Sequence, residues 1–336
     1  MKAQIAPDRS ADTHASASAL WYVEPRRADL RREPLPDLAS DELLVATEWS
    51  ALSRGTERLV FSGRISADQG AQMRAPMQGG EFPFPVKYGY CTVGRVEAGS
   101  PRFLGRHVFV LHPHQDRFVV KRDDVLVVPD GVPARRATLA ANMETALNAL
   151  WDSGAGAGDR IVVVGAGLIG LLITFLAARL PGAEVTAVDP DHGRAKLVHG
   201  FGARFAQNTQ ALGEADVVFH TSACSEGLNA AIACCGSEAT LVEVSWYGDR
   251  DVTLSLGGSF HARRLRLVSS QVGAVPPGRA PRWSPRRRLA KALDLLADPR
   301  LDALITEEVA FADLPGALER ILGDAPHGVA TVVRYP

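Results

Sequence analysis

The run GAGLIG at residues 165–170 constrains this chain more than any other feature, because it separates a β-branched run from an apolar helical one. RIVVV (residues 160–164) lies ahead of it and LLITFLAAR (residues 171–179) behind. The order is strand, glycine turn, helix. Gly165 permits the tight turn, Gly167 lets the backbone approach a pyrophosphate, and Gly170 lets helix and strand pack closely. Leu168 and Ile169 open the helix, whose N-terminal N–H groups and dipole would face the anion. A second apolar run, EVTAV (residues 184–188), ends in Asp189, nineteen residues beyond Gly170. A carboxylate there would accept hydrogen bonds from a ribose. A lone glycine motif is weak, but strand, helix, second strand and terminal acid together read as a dinucleotide site.

Asp189 also bears on cofactor choice. It would repel a phosphate on the ribose, and Pro190 and Asp191 follow it where a basic cluster would be needed. NAD(H) is therefore expected over NADP(H).

At 336 residues the chain is too long for one ordinary core and suits two domains. Its 46% hydrophobic and 22% charged residues place it among soluble globular proteins. A formal net charge of -1 excludes a general attraction to nucleic acid or an acidic membrane. Cys91, Cys224, Cys234 and Cys235 give neither a disulfide framework nor a zinc-type spacing. No apolar run reaches bilayer length, and the N-terminus lacks the order of a secretory signal. A cytoplasmic protein acting on a small molecule, with no nucleic-acid or membrane partner, is expected.

Residues 1–19, rich in Ala, Ser and Asp, read as a flexible extension. Short β-type runs broken by Pro and Gly fill residues 20–130, interrupted at residues 62–85 by what reads as a long irregular loop, either pocket-shaping or disordered. From residue 131 to 275, strands alternate with helices, which implies a parallel sheet covered on both faces. Beyond residue 276 a basic, proline-rich linker leads to a helix with Leu289, Leu293 and Leu296 on one face, and then to a terminal strand. The fold class is α/β.

Several stretches carry a resemblance. LWYVEP (residues 20–25), GYCTVGRV (residues 89–96) at a GHExxGxV motif, the glycine turn, and LIT (residues 304–306) followed by FADL (residues 311–314) resemble the medium-chain dehydrogenase/reductases, the alcohol dehydrogenase-like proteins. The resemblance implies a GroES-like β-rich catalytic domain over residues 20–130, completed by residues 276–336, and a Rossmann doubly wound parallel sheet over residues 131–275. Substrate and nicotinamide would meet between them, in a homodimer or homotetramer.

The departures from that family are as informative. Where zinc-dependent members have their cysteine, histidine and third ligand, this chain has Arg54 or Ser53, then Tyr90, then Ala141 with Glu144 close by. The cysteines of the structural zinc lobe are missing. Zinc needs three good N, S or O donors, so the chain is expected to be a zinc-less member. Residues 53–63, SRGTERLVFSG, are similar to the branch containing bacteriochlorophyllide a dehydrogenase, but over too short a stretch to transfer a substrate.

Without a metal, a hydroxyl, imidazole or guanidinium must manage the developing charge on the substrate oxygen. The resemblance puts Thr56 at the family's proton-relay position, as donor or as a plain turn cap. Tyr90 reads as an acid or as a packed aromatic. Glu144 reads as a general base or as the partner of Arg54. His112 and His114 offer a neutral-pH shuttle or a strand-end surface. Arg194, Thr145, Thr221 and Ser245 fall where the family's chain passes its cofactor. The expected function is NAD(H)-dependent interconversion of a secondary alcohol and a carbonyl without zinc. The alternatives are an NADPH-dependent zinc-less enone or quinone reductase and a catalytically inactive nucleotide-binding protein.

Overall fold

The computed structural model describes residues 16–324 and 327–336. Three sheets organise it. The one that follows from the glycine turn has six parallel strands, in the order Arg204–Ala206, Glu184–Val188, Arg160–Val164, Ala215–His220, Cys235–Glu243 and Arg266–Ser269. In sequence order this is 3-2-1-4-5-6, the doubly wound dinucleotide arrangement, whose ligand crevice lies where the strand order reverses. The reversal falls between Arg160–Val164 and Ala215–His220. Residues 161–164 are buried, as β-branched residues on a sheet covered from both sides must be. The helix Leu168–Ala177 is buried from Gly170 onward, wedged between this sheet and the helix Ala140–Ser153.

A seven-stranded sheet is built around Glu42–Ala51, which pairs antiparallel with Thr92–Gly99, Arg117–Lys121 and the terminal strand Ala330–Arg334. The terminal strand pairs parallel with Ile305–Ala310. The end of the chain thus returns to the sheet that its first half began. A four-stranded sheet led by Ser16–Glu24 and Arg27–Pro34 completes this half.

Two expectations need correction here. The extension expected over residues 1–19 is shorter, because residues 16–19 belong to the strand Ser16–Glu24, with Ala17 and Ala19 buried. The ladder to Arg27–Pro34, with backbone bonds from Leu20 to His114 and from Asp116 to Ser18, holds residues whose own preference is weak. Residues 1–15 lie outside the described residues. The irregular loop at residues 62–85 contains a one-turn helix, Ala67–Gly70, and a two-residue strand, Gly79–Gly80.

One apolar cluster runs from Val93 and Phe109 of the seven-stranded sheet through Met143 to Leu171 beneath the parallel sheet. The helix Ala140–Ser153 is therefore the joint between the halves. It also supports the helix Pro285–Leu295.

Candidate active site

The glycine turn has the geometry its residues require. Gly165 has φ +103°, a conformation L side chains avoid. A Cβ on Gly170 would be driven into the carbonyl oxygen of Gly165, so the helix sits as close to the turn as it does only because that atom is missing. A Cβ on Gly167 would meet nothing within 4 Å. The helix N-terminus at Leu168 and Ile169 thus faces open space, which fits a bound anion. Thr221 donates to the carbonyls of Gly165 (2.8 Å) and Val164 (3.2 Å), holding the turn from beneath. Asp189 accepts from the N–H groups of Ala166 (2.7 Å) and Asp191 (2.9 Å), which fixes its carboxylate at the rim of the turn. Arg194 pairs with Asp191 at 3.2 Å and donates to the carbonyl of Gly328. Ser245 accepts from the N–H of Ala223 and so ties together two loops at the C-terminal edge of the sheet.

A cavity of about 540 Å³ opens beside that edge, between the two halves. Thr56 and Tyr90 enter it from one side, Glu144 and Thr145 from the joint helix, and Val244 and Ser270 from the strand ends. The segment at residues 72–76 forms an outer wall, so part of the long loop does shape the pocket. The Tyr90 hydroxyl donates to Ser53 Oγ at 2.5 Å, and its ring stands edge-on to Tyr88, with centroids 5.9 Å apart. Burial, and then the nearby Cys91, push the Tyr90 phenol well above its usual range. Thr145 donates back to the carbonyl of Ala141.

Glu144 does not pair with Arg54. Its partner is Arg288, at 2.9 Å from the helix Pro285–Leu295, and both side chains are buried. Burial raises the Glu144 carboxyl, and the Arg288 guanidinium opposes that rise. Arg288 also donates to Asn148 and to the carbonyls of Val272 and Ala274, which fixes a segment on the cavity wall.

Arg54 and the histidines lie elsewhere than expected. Arg54 turns toward the chain's end, donating to the carbonyls of His327 (2.7 Å) and Gly328 (3.1 Å), so it meets Arg194 there and stays out of the cavity. Burial lowers its affinity for a proton. His114 is neither a shuttle in the cavity nor a surface group: it is 1% exposed, between Glu57 Oε2 (3.0 Å) and Ser50 Oγ (2.7 Å). His112 is buried, stacked on Phe118 at 3.8 Å, and burial pushes it down to about 3. Both histidines lie in the loop between the strands His107–Val110 and Arg117–Lys121, and the packing of that loop against the sheets buries them.

Sequence reasoning missed Glu57, Arg288 and Trp246. The first had a signal: a glutamate four residues after an N-cap serine, one residue past the capping-box spacing. Arg288 sits in a basic run that reads as solvated, and only packing singles it out.

The metal question can be put to these residues. Among the described residues, no three His, Cys, Asp or Glu side chains gather where they could hold a metal ion. At the cavity, Ser53 and Tyr90 bond to one another, Ala141 offers no donor, and Glu144 already carries a cationic partner. This set does not fit a zinc ion.

No protein-family model matches the chain. It is 27% identical to D-guloside 3-dehydrogenase of Escherichia coli K12 over 339 residues, covering 91% of this chain and 96% of that protein. Among solved structures, a putative zinc-binding dehydrogenase from Sinorhizobium meliloti bound to NADP superposes with a TM-score of 0.75 at 17% identity, covering 95% of this chain and 99% of that one. The chain has the fold of the medium-chain dehydrogenase/reductases and is similar in sequence to dehydrogenases of that type. Acetophenone reductase from Geotrichum candidum, solved with NAD, gives the same TM-score at 17% identity over 96% of this chain and 98% of that one. Such relatives support NAD(P)-dependent oxidoreduction between an alcohol and a carbonyl. No helix among the described residues is long and apolar enough to cross a membrane.

Proposed function

We propose that this enzyme uses NAD(H) to interconvert a secondary alcohol and a carbonyl on a polyhydroxylated, sugar-like molecule, without catalytic zinc. The observation that carries the reading is the meeting of two hydroxyls, Thr56 and Tyr90, in one cavity with the strand ends at Val244 and Ser270. When bound, the nicotinamide supplies the carbon that takes or gives hydride. Gly165, Gly167, Leu168 and Ile169 would hold the pyrophosphate and Asp189 the ribose hydroxyls, with Arg194, Thr145, Thr221 and Ser245 around them.

Tyr90 is the proton donor in this reading. Its phenol is protonated at neutral pH and, although burial makes it a weaker acid, it can donate a hydrogen bond to a carbonyl oxygen as charge develops there. Thr56 supplies a second hydroxyl. Glu144, paired with Arg288, serves as a neutralised polar wall and not as a free base. The relative's name specifies a guloside, and the aromatic side chains of Tyr88 and Trp246 are among those lining the cavity where a sugar ring would pack. The likeness of residues 53–63 to the bacteriochlorophyllide a dehydrogenase branch lends no substrate. We further propose a homo-oligomer, for which the exposed edge strand Arg266–Ser269 offers a surface.

The test is an absorbance assay of the purified enzyme with NAD⁺ and NADP⁺ against methyl hexopyranosides, hexitols, simple secondary alcohols, enones and quinones, alongside metal analysis. Turnover of a polyol or glycoside with NAD⁺ in a preparation lacking stoichiometric zinc is expected. Stoichiometric zinc needed for turnover, or activity confined to NADPH and enones, would overturn it.

A further inference from the structure

Resting on the reading of Tyr90 as proton donor, we propose that Ser53 is the positioning residue that orients the Tyr90 hydroxyl in the cavity, and that buried Glu57 holds the backbone of Ser53 in place for the task. Ser53 is the N-cap of the helix Arg54–Phe61, a place where a serine hydroxyl ordinarily turns back to accept from the helix's own N–H groups. Here it makes no such bond. Its hydroxyl faces Tyr90 instead, at 2.5 Å.

Glu57 explains how. Its Oε1 accepts from the backbone N–H of Ser53 at 2.7 Å, fixing the serine at the helix entrance. Its Oε2 accepts from the Tyr22 hydroxyl at 2.7 Å and faces His114 Nε2 at 3.0 Å. His114 Nδ1 meets Ser50 Oγ at 2.7 Å, and Ser50 meets the Tyr335 hydroxyl at 3.1 Å. Glu57 is fully buried and has partners on both oxygens, so it cannot swing away. The network therefore locks the backbone of Ser53 and leaves its hydroxyl free to rotate.

A hydroxyl suits this place because it can reverse direction. While Tyr90 donates to Ser53, the phenol oxygen can accept from a substrate alcohol. When Ser53 donates to Tyr90, the phenol proton is free for a carbonyl oxygen. A backbone carbonyl or a carboxylate could support only the first arrangement.

The experiment uses the full chain labelled with 3-fluorotyrosine, in wild type, Ser53→Ala, Ser53→Thr and Tyr90→Phe. Kinetics use whichever methyl hexopyranoside or hexitol the wild type oxidises with NAD⁺. Ser53→Ala is expected to lower kcat about tenfold or more, as for a misplaced reacting group, with KM little changed. Ser53→Thr, bulkier but still a hydroxyl, should keep most of the activity, whereas a mere packing role would rank the two variants the other way. In the fluorine spectrum the Tyr90 resonance, identified by its loss in Tyr90→Phe, should move in Ser53→Ala and stay in Ser53→Thr. The other four of the chain's five tyrosines report the fold. If Ser53→Ala does not fold, Ser53→Cys, of similar size and a weak donor, takes its place. An unmoved Tyr90 resonance, or unchanged kcat in Ser53→Ala when Tyr90→Phe is impaired, overturns the inference. Full activity in Tyr90→Phe overturns the role of Tyr90 itself, while the spectrum still decides whether Ser53 orients it.

Discussion

At the scale of single residues, missing atoms and buried ones matter as much as the polar groups facing the cavity. Gly170 touches nothing chemical, yet a methyl group there collides with the carbonyl of Gly165. Gly170→Ala should cost about 1–3 kcal/mol as an overpacked contact. It should also weaken NADH binding by about tenfold or more, equivalent to about 1.4 kcal/mol. Thermal unfolding and a fluorescence titration check this; unchanged binding would remove the turn from the cofactor site. His112 makes a second prediction. Its folded value of about 3 lies below its ordinary 6.5, so the neutral imidazole is the form the fold accepts. Its contribution to stability is present above pH 6.5 and is lost as pH falls toward 3, because the unfolded chain binds the proton first. His112→Phe, which keeps the stack on Phe118, should flatten the fall in stability between pH 6.5 and 4, read from denaturant midpoints. An unchanged slope would show that His112 already titrates in the folded protein.

At the scale of elements, the pair Glu144–Arg288 joins the helices Ala140–Ser153 and Pro285–Leu295 across the cavity wall. Replacing Arg288 with leucine would strand a buried carboxylate, at a cost of about 3–5 kcal/mol. The sign with pH is opposite to that for His112. A carboxyl raised in the folded state is tolerated best when protonated, so its contribution is most favourable below its unfolded value and is lost as pH rises through the folded one. Removing Arg288 raises that folded value further. Arg288→Leu should therefore recover stability on acidification from pH 8 to 5 more than the wild type does. Melting temperatures across that range would settle it, and a uniform loss at every pH would count against a stranded charge.

Elements also show where reading the sequence succeeded. Every strand expected from a β-branched run formed, including Thr92–Gly99, His107–Val110 and Ala215–His220, because burial on a sheet selects those residue types directly. The strand entry at residues 16–19 was illegible, since Ala and Ser have little preference and take their place from a partner strand.

At the scale of the molecule, the terminal strand Ala330–Arg334 joins the sheet begun by Glu42–Ala51 and carries Ile305–Ala310 at its edge, while the parallel sheet has an open edge at Arg266–Ser269. Leu267 on that edge is a large apolar residue left exposed. An uncovered edge strand invites pairing with another chain. Under the homo-oligomer proposal, Leu267→Asp should shift the enzyme toward a smaller species in light scattering coupled to size exclusion, with NADH binding kept. A wild type that is monomeric at all concentrations would sink it.

The sequence by itself determined the dinucleotide fold, because GAGLIG, its flanking runs and Asp189 act through local backbone freedom and spacing, which a linear chain displays openly. It also showed Arg54 or Ser53, then Tyr90 and Ala141, at the positions where zinc-dependent members of the resembled family carry their ligands. Tertiary structure alone decided which partners the polar residues around the cavity take. Arg54 left the cavity for the carbonyls of His327 and Gly328, Glu144 took Arg288 as its partner, and His114 joined Glu57 beneath the site. Each of these pairings spans more than fifty residues of chain. Such contacts are set by which faces of distant elements meet, and no local preference or spacing encodes that.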